Sequence, residues 1–161
     1  MSAKTILCVC TGNSCRSVMA EWLMRQRLRS ASGESPPPDY EVASAGLAAI
    51  DGMAASDETL RVLREKTGLE ASSHRARRLA DQMVRDAALV LVMERWHLEE
   101  ILRRVPEASA KTHLLSTFGQ SPSEGVVGEE IIDPMGKPRE VYDVCFNTIK
   151  ALVDRVVRSL T

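Results

Sequence analysis

The sequence predicts an α/β fold, a single three-layer domain over residues 1–161 with helices on both faces of a parallel sheet. Three observations carry this. Short runs that are apolar at nearly every position, Thr5 to Cys10 and Leu89 to Met93, suit strands buried on both faces rather than one. These runs alternate with longer segments of helical period, the pattern of a parallel sheet wrapped by its own crossovers. A chain of 161 residues also buries a substantial core without disulfide or metal staples.

Thr5 to Cys10 is the first strand. It runs into a tight polar turn, Thr11 to Cys15, and then into a helix beginning near Ser17, with Ala20, Leu23, Met24 and Leu28 on one face. Ser30 to Asp39, rich in Pro, Ser and Gly, is a connector. Tyr40 to Ala45 is a second short strand. Ser56 or Asp57 caps a helix that carries Leu60 and Leu63 and stops before Gly68. The turn Ser72 to Arg78 leads to a short helix near Asp81 to Asp86, and its Arg75, Arg77 and Arg78 read as a solvated surface. After Leu89 to Met93 comes a helix with Leu98, Ile101, Leu102 and Val105, ended by Pro106. Lys111 to Leu115 is a weaker strand. Ser116 to Glu140 has no periodic pattern, and a loop of that length inside a domain often carries function. A long amphipathic helix with Val141, Cys145, Ile149, Leu152, Val156 and Leu160 closes the chain. Trp22 and Trp96 fit core or half-buried helix positions.

The formal charge of -1 leaves no electrostatic footprint for nucleic acid or an anionic membrane, and no apolar run reaches spanning length. With no charged leader before the first strand, the expected location is cytoplasmic. Of four cysteines, three crowd at positions 8, 10 and 15, which fits thiols kept for chemistry better than a secreted disulfide framework.

The chemistry concentrates in Cys10 to Arg16, CTGNSCR. A strand end, a Gly/Asn turn and a helix start bring unpaired backbone N–H groups onto one point, an anion cup. Free thiols near pKa 8.5 are mostly un-ionised at neutral pH, and helix N-termini and Arg neighbours favour the nucleophilic thiolate. The stretch from Cys10 to Arg16 is long enough to wrap a tetrahedral oxyanion, with the Arg16 guanidinium gripping two oxygens in a fork. Gly12 permits close backbone approach and Asn13 braces a left-handed turn. Ser17 either hydrogen-bonds the thiolate or caps the helix. A nucleotide P-loop is ruled out because the Gly-Lys-Ser/Thr ending is absent. A zinc site on Cys8, Cys10 and Cys15 lacks a fourth ligand and a paired C-x-x-C, so neither metal nor cofactor is expected.

The stretch CTGNSCRS resembles the signature of the low-molecular-weight protein tyrosine phosphatases, and Asp133-Pro134 resembles their C-terminal Asp-Pro. The likeness runs over nearly the whole chain, including Ser44-Ala45-Gly46 and the His74 segment. It implies a four-stranded sheet of flavodoxin-like order and metal-free hydrolysis through a phosphocysteine, with a phosphorylated protein as substrate. Carried over by position, Cys10 is the nucleophile, and Thr11, Gly12, Asn13, Ser14, Cys15 and Arg16 hold the phosphate. Asp133 is the general acid, Asn13 and Ser44 shape the loop, and His74 supports it. Cys15 resembles a second loop cysteine able to pair with Cys10 under oxidation, which protects against irreversible oxidation. Cys8 and Cys145 are expected to be core residues.

The pattern departs from tyrosine-specific members at two places. They carry a bulky aliphatic residue at position 14 and an aromatic after Asp-Pro, where this chain has Ser14 and Met135-Gly136. Related protein arginine phosphatases have Asn-Thr-Cys in the loop and Asp-Pro-aromatic-Gly, a pattern that Ser14 and Gly136 resemble halfway while Met135 lacks the ring. Phosphotyrosine stands first and phosphoarginine second. A rival reading is arsenate reduction on the same loop, but its relay needs two further cysteines, and none lies between Cys15 and Cys145; an external thiol would have to serve. A silent oxyanion-binding module would lack a nucleophile, an Arg or an acid, and none of the three is missing.

Overall fold

The computed structural model describes residues 3–32, 39–120 and 130–161. Most of the Ser30 to Asp39 connector and residues 121–129 of the long loop lie outside them.

Four strands, β1 (Lys4–Cys10), β2 (Tyr40–Gly46), β3 (Leu89–Val92) and β4 (Thr112–Leu114), form one parallel sheet in the order β2-β1-β3-β4. This is the flavodoxin-like order, with its switch point between β1 and β3. The register sets Cys10 opposite Gly46 and Val9 opposite Val92, so the carboxyl ends of three strands share one rim.

The central strand β1 explains its own composition. Ile6, Cys8 and Cys10 pack into the core shared with α1 (Arg16–Ser32), α2 (Asp57–Thr67) and α5 (Arg139–Leu160). Leu7 and Val9 point the other way, into the core under α3 (Asp81–Asp86) and α4 (Arg95–Arg104). A strand buried on both faces cannot alternate in polarity. On α1 the expected face is buried, with Ala20 and Met24 fully covered. Ser56 caps α2 by accepting from the Thr59 N–H (3.3 Å), and Gly68 ends that helix at φ 76°.

Two sequence expectations are corrected. Trp96 is exposed, because α4 turns that position away from the sheet while His97 goes inward. On α5 the buried face is Tyr142, Cys145, Phe146, Ile149, Val153, Val156 and Val157, and Val141, Leu152 and Leu160 sit only half-buried at its margin. The stop at Pro106 is observed, since α4 ends at Arg104 with Val105 as its C-cap, and Pro106 then opens a 3₁₀ turn, Pro106–Lys111, that leads directly into β4. No helix among the described residues is long and apolar enough to cross a membrane.

Candidate active site

The turn from Cys10 to Arg16 closes over the N-terminus of α1. Asn13 has φ 54°, the only positive φ of a non-glycine among the described residues. Its amide is fixed on every side. Nδ2 donates to Ser17 Oγ (2.8 Å) and Ser44 Oγ (2.9 Å), Oδ1 accepts from the Arg77 N–H (3.0 Å), and its carbonyl accepts from His74 Nε2 (2.9 Å). Ser44 in turn donates to the buried Glu21 carboxylate.

This bracing ends on sulfur. Cys10 Sγ accepts from the Asn13 N–H (3.3 Å) and lies 3.0 Å from Ser17 Oγ. Ser17 Oγ also accepts from Asn13 Nδ2, so the Asn13 amide, the Ser17 hydroxyl and the Cys10 sulfur form one hydrogen-bonded chain. Of the two roles open to Ser17, the structure therefore shows the bond to sulfur, from within the first turn of α1. Cys8, two residues back on the same face, meets a different environment. It is fully covered, and burial, reinforced by the Glu21 charge, pushes its thiol far above the ordinary range. Burial likewise pushes Cys145 up to about 12.

Gly46 is the glycine the loop cannot do without. A Cβ there would meet Thr11 O at 2.6 Å and Asn13 N at 2.8 Å, both backbone atoms, while β2 leaves through Leu47 and Ala48 N–H bonds to Cys10 O and Thr11 O. At Gly12 a Cβ would find only Ser14 Oγ, at 3.5 Å.

Arg16 is 1% exposed, and its guanidinium is held from the end of β3 and from the segment before α5. Nη1 donates to Glu94 Oε2 (2.7 Å) and to the Ile131 carbonyl (2.8 Å); Nη2 reaches Thr11 Oγ1 (3.3 Å) and pairs with Asp133 Oδ2 at 3.5 Å. Its Nε, also buried, meets no acceptor among the described residues. The Ile131 N–H bonds Met93 O (3.0 Å), which lays this segment along the end of β3 and delivers Asp133 to the loop. The Asp133 carboxylate accepts from the Met135 N–H (3.0 Å) and is partly open to solvent.

His97 completes the support. Its Nδ1 accepts from the Glu94 N–H (3.0 Å), so the neutral ring carries its proton on Nε2 and donates to Thr11 Oγ1 (2.9 Å). Burial, with the Arg16 charge nearby, pulls its pKa down to about 4. The ring is thus neutral in the folded state near neutral pH, and its 3.6 Å approach to Glu94 Oε2 is no ion pair.

Ser14 and Cys15 form the loop's other wall. Ser56 N–H donates to Ser14 O (3.1 Å), and Cys15 Sγ sits 3.3 Å from Ser56 Oγ and 3.7 Å from Tyr142 Oη. Burial raises the Tyr142 phenol to about 12, so it stays protonated. All four cysteines are free thiols.

Every residue expected at the site is therefore gathered around one loop. Arg75, Arg77 and Arg78 are exposed, as expected, and Arg77 also supports the loop, its N–H bonding Asn13 Oδ1 and its Nε donating to Ser44 O (2.9 Å). Glu21, Glu94 and His97 were not anticipated, Ser56 was expected only as a helix cap, and Gly46 only as part of Ser44-Ala45-Gly46. Glu94 and His97 left a signal: they are an acid and a base three residues apart just past a strand end, on the rim where Cys10 ends its own strand. Among the described residues no three His, Cys, Asp or Glu side chains converge as a metal donor set.

A thiol with two hydrogen bonds on sulfur, inside an N–H-lined loop and beside a fixed guanidinium, at the carboxyl edge of a parallel sheet, is the apparatus of a cysteine-based phosphatase. The family model "Low molecular weight phosphotyrosine protein phosphatase" matches residues 5–161, and the chain belongs to that family of phosphomonoester hydrolases acting on phosphorylated proteins. A protein-arginine-phosphatase of Geobacillus stearothermophilus is 39% identical over 155 residues, 96% of this chain and 95% of that one. The solved YwlE arginine phosphatase from the same organism superposes with TM-score 0.84 at 39% identity, covering 98% of this chain and 92% of that one. A low molecular weight protein tyrosine phosphatase from T. tengcongensis gives TM-score 0.86 at 32% identity, covering 98% and 99%. The arsenate reductase alternative draws no support from these relatives.

Proposed function

We propose that Cys10 Sγ attacks the phosphorus of a phosphorylated side chain, forming an S–P bond as the bond from phosphorus to the leaving group breaks. Asp133 protonates the leaving atom. Water then attacks the phosphocysteine, giving its proton to Asp133, and the S–P bond breaks to return the thiolate and release inorganic phosphate. Loop N–H groups and Arg16 hold the phosphoryl oxygens throughout, and one of those oxygens supplies the acceptor that Arg16 Nε lacks. Thr11, Gly12, Ser14 and Cys15 contribute backbone to this cradle, while Ser44, Ser17 and His74 hold its shape. Glu94 and His97 position Arg16 and Thr11. Four free thiols suit a reducing compartment, so we place the reaction in the cytoplasm.

The observation that carries this reading is the convergence on Cys10 Sγ of the Asn13 N–H and the Ser17 hydroxyl, in the loop that also holds the Arg16 guanidinium. Rapid acid quench during turnover of a radiolabelled aryl phosphate should trap label on Cys10. Cys10→Ser should fold normally and trap none; undiminished turnover by that variant would refute the route.

Phosphotyrosine is the first substrate class. Phosphoarginine is the second reading, favoured by Ser14, whose small hydroxyl leaves room beside the phosphorus where tyrosine-specific relatives carry a branched aliphatic group. Specificity constants on matched phosphotyrosine and phosphoarginine peptides decide between them. We also propose that Cys15 caps oxidised Cys10 as a disulfide. Recovery from mild peroxide on adding thiol should be lost in Cys15→Ser.

A further inference from the structure

Behind the loop, at the outer edge of the sheet, α1, β2 and the turn before α3 enclose a polar groove of about 350 Å³. Three guanidinium groups, Arg25, Arg75 and Arg77, line it against a single carboxylate, Glu21. That is a local excess of positive charge in a chain of formal charge -1. Glu21 is already committed to Ser44 Oγ and to Arg25. Arg75 uses Nη1 on the Ser72 and His74 carbonyls, and Arg77 uses Nε on Ser44 O. A guanidinium has five N–H donors, and those remaining on Arg75 and Arg77 meet no acceptor among the described residues. Clustered forks of this kind match the oxygens of a phosphate group.

We propose that this groove is a second anion site, which takes a phosphate dianion, free or esterified, between Arg75 and Arg77. Three residues lining it, Ser44, His74 and Arg77, are among the four that hold the Asn13 side chain and carbonyl, Ser17 being the other. A dianion seated there ties the Arg75 to Arg77 turn against Ser44 and so braces Asn13 from behind. By linkage, an oxyanion in the loop and one in the groove change each other's affinity by the same factor. The coupling rests on the loop being the reaction site; the binding does not.

Trp22 reports on the groove, since it lines it and carries the Arg25 guanidinium 5.3 Å over its ring. In a Trp96→Phe background it is the sole tryptophan. Inorganic phosphate should change its emission saturably, and should still do so after Arg16→Ala has removed the loop's guanidinium. Arg75→Gln should weaken this binding by at least about tenfold, the loss of a charge-assisted fork. Ser73→Asp should do the same, because it sets a carboxylate among the guanidinium groups while removing no side-chain bond among the described residues. Glycerol 3-phosphate in a parallel titration separates the sources: an equal response assigns the site to the phosphate group, and a response to inorganic phosphate alone assigns it to the free ion. No saturable change in the Arg16→Ala background, or a change that Ser73→Asp and Arg75→Gln leave intact, overturns the site. For the coupling, phosphate should inhibit aryl phosphate turnover with a mixed pattern in the native chain and a purely competitive one in Ser73→Asp; competitive inhibition in both overturns the coupling while leaving phosphate binding to be judged by fluorescence.

Discussion

Arg16 is a buried cation whose anionic neighbours come from far along the chain, and this makes Glu94 the most consequential residue outside the loop. Removing one partner of a buried pair leaves the other charge uncompensated, which costs about 3–5 kcal/mol when burial is complete. Glu94 is partly open, at 24% side-chain exposure, so the lower end applies. Glu94→Gln should therefore lower stability by about 3 kcal/mol or less. It should also drop kcat/KM by about 10²-fold through misplacement of the guanidinium, checked by denaturant melts beside steady-state kinetics. Asp133 makes a different prediction. If its proton goes to the leaving group, Asp133→Asn should slow esters of poor leaving groups by about 10²-fold or more and barely touch activated ones. A slope of log kcat/KM against leaving-group pKa that stays unchanged would remove it from that role.

At the scale of elements, β2 and the N-terminus of α2 act as the loop's outer frame. Gly46→Ala presses a methyl on Thr11 O and Asn13 N, neither of which can rotate away. A destabilisation of roughly 1–3 kcal/mol is expected, with weaker binding of a vanadate probe as the loop shifts. Ser56 joins two elements, capping α2 while its N–H holds Ser14 O. Ser56→Ala should cost about 1 kcal/mol by loss of the cap and keep the backbone bond, so thermal melts should move more than turnover does.

These frames also show which parts were legible in the sequence and which were not. The four strands, the helices and the set Cys10, Arg16, Asp133 could be read because each leaves a local mark: an unbroken apolar run, a cap, a spaced motif. The close approach at Gly46 leaves none, and the Glu94 and His97 spacing gains its meaning only once β3 lies beside β1. The Trp96 expectation failed for the same reason, because helical period alone does not say which side of α4 meets the sheet. On α5 the predicted stripe was rotated, because Tyr142 and Phe146, which the stripe left out, take inward positions and turn Val141 and Leu152 to the margin.

For the whole molecule, His97 makes stability depend on pH. Its folded pKa of about 4 lies below the ordinary value of 6.5, so between those values the unfolded chain binds the extra proton. Stability contributed by the neutral ring is complete above the ordinary value and is lost as pH falls toward about 4, by up to about 3 kcal/mol. Denaturant midpoints measured from neutral to mildly acid pH should fall in the native chain and fall less in His97→Gln, which has no titrating ring.

The two neighbouring sulfurs on β1 differ in a way that matters for chemical labelling. Cys8 and Cys10 share one face of a strand, two residues apart, yet Cys8 is sealed and kept as a thiol while Cys10 has the Asn13 N–H and the Ser17 hydroxyl in hydrogen-bond contact with its sulfur. An anionic electrophile such as iodoacetate, whose carboxylate the Arg16 loop can hold, should therefore modify Cys10 and spare Cys8. The fold would then select one atom from a near-identical pair, with no need for a tailored reagent.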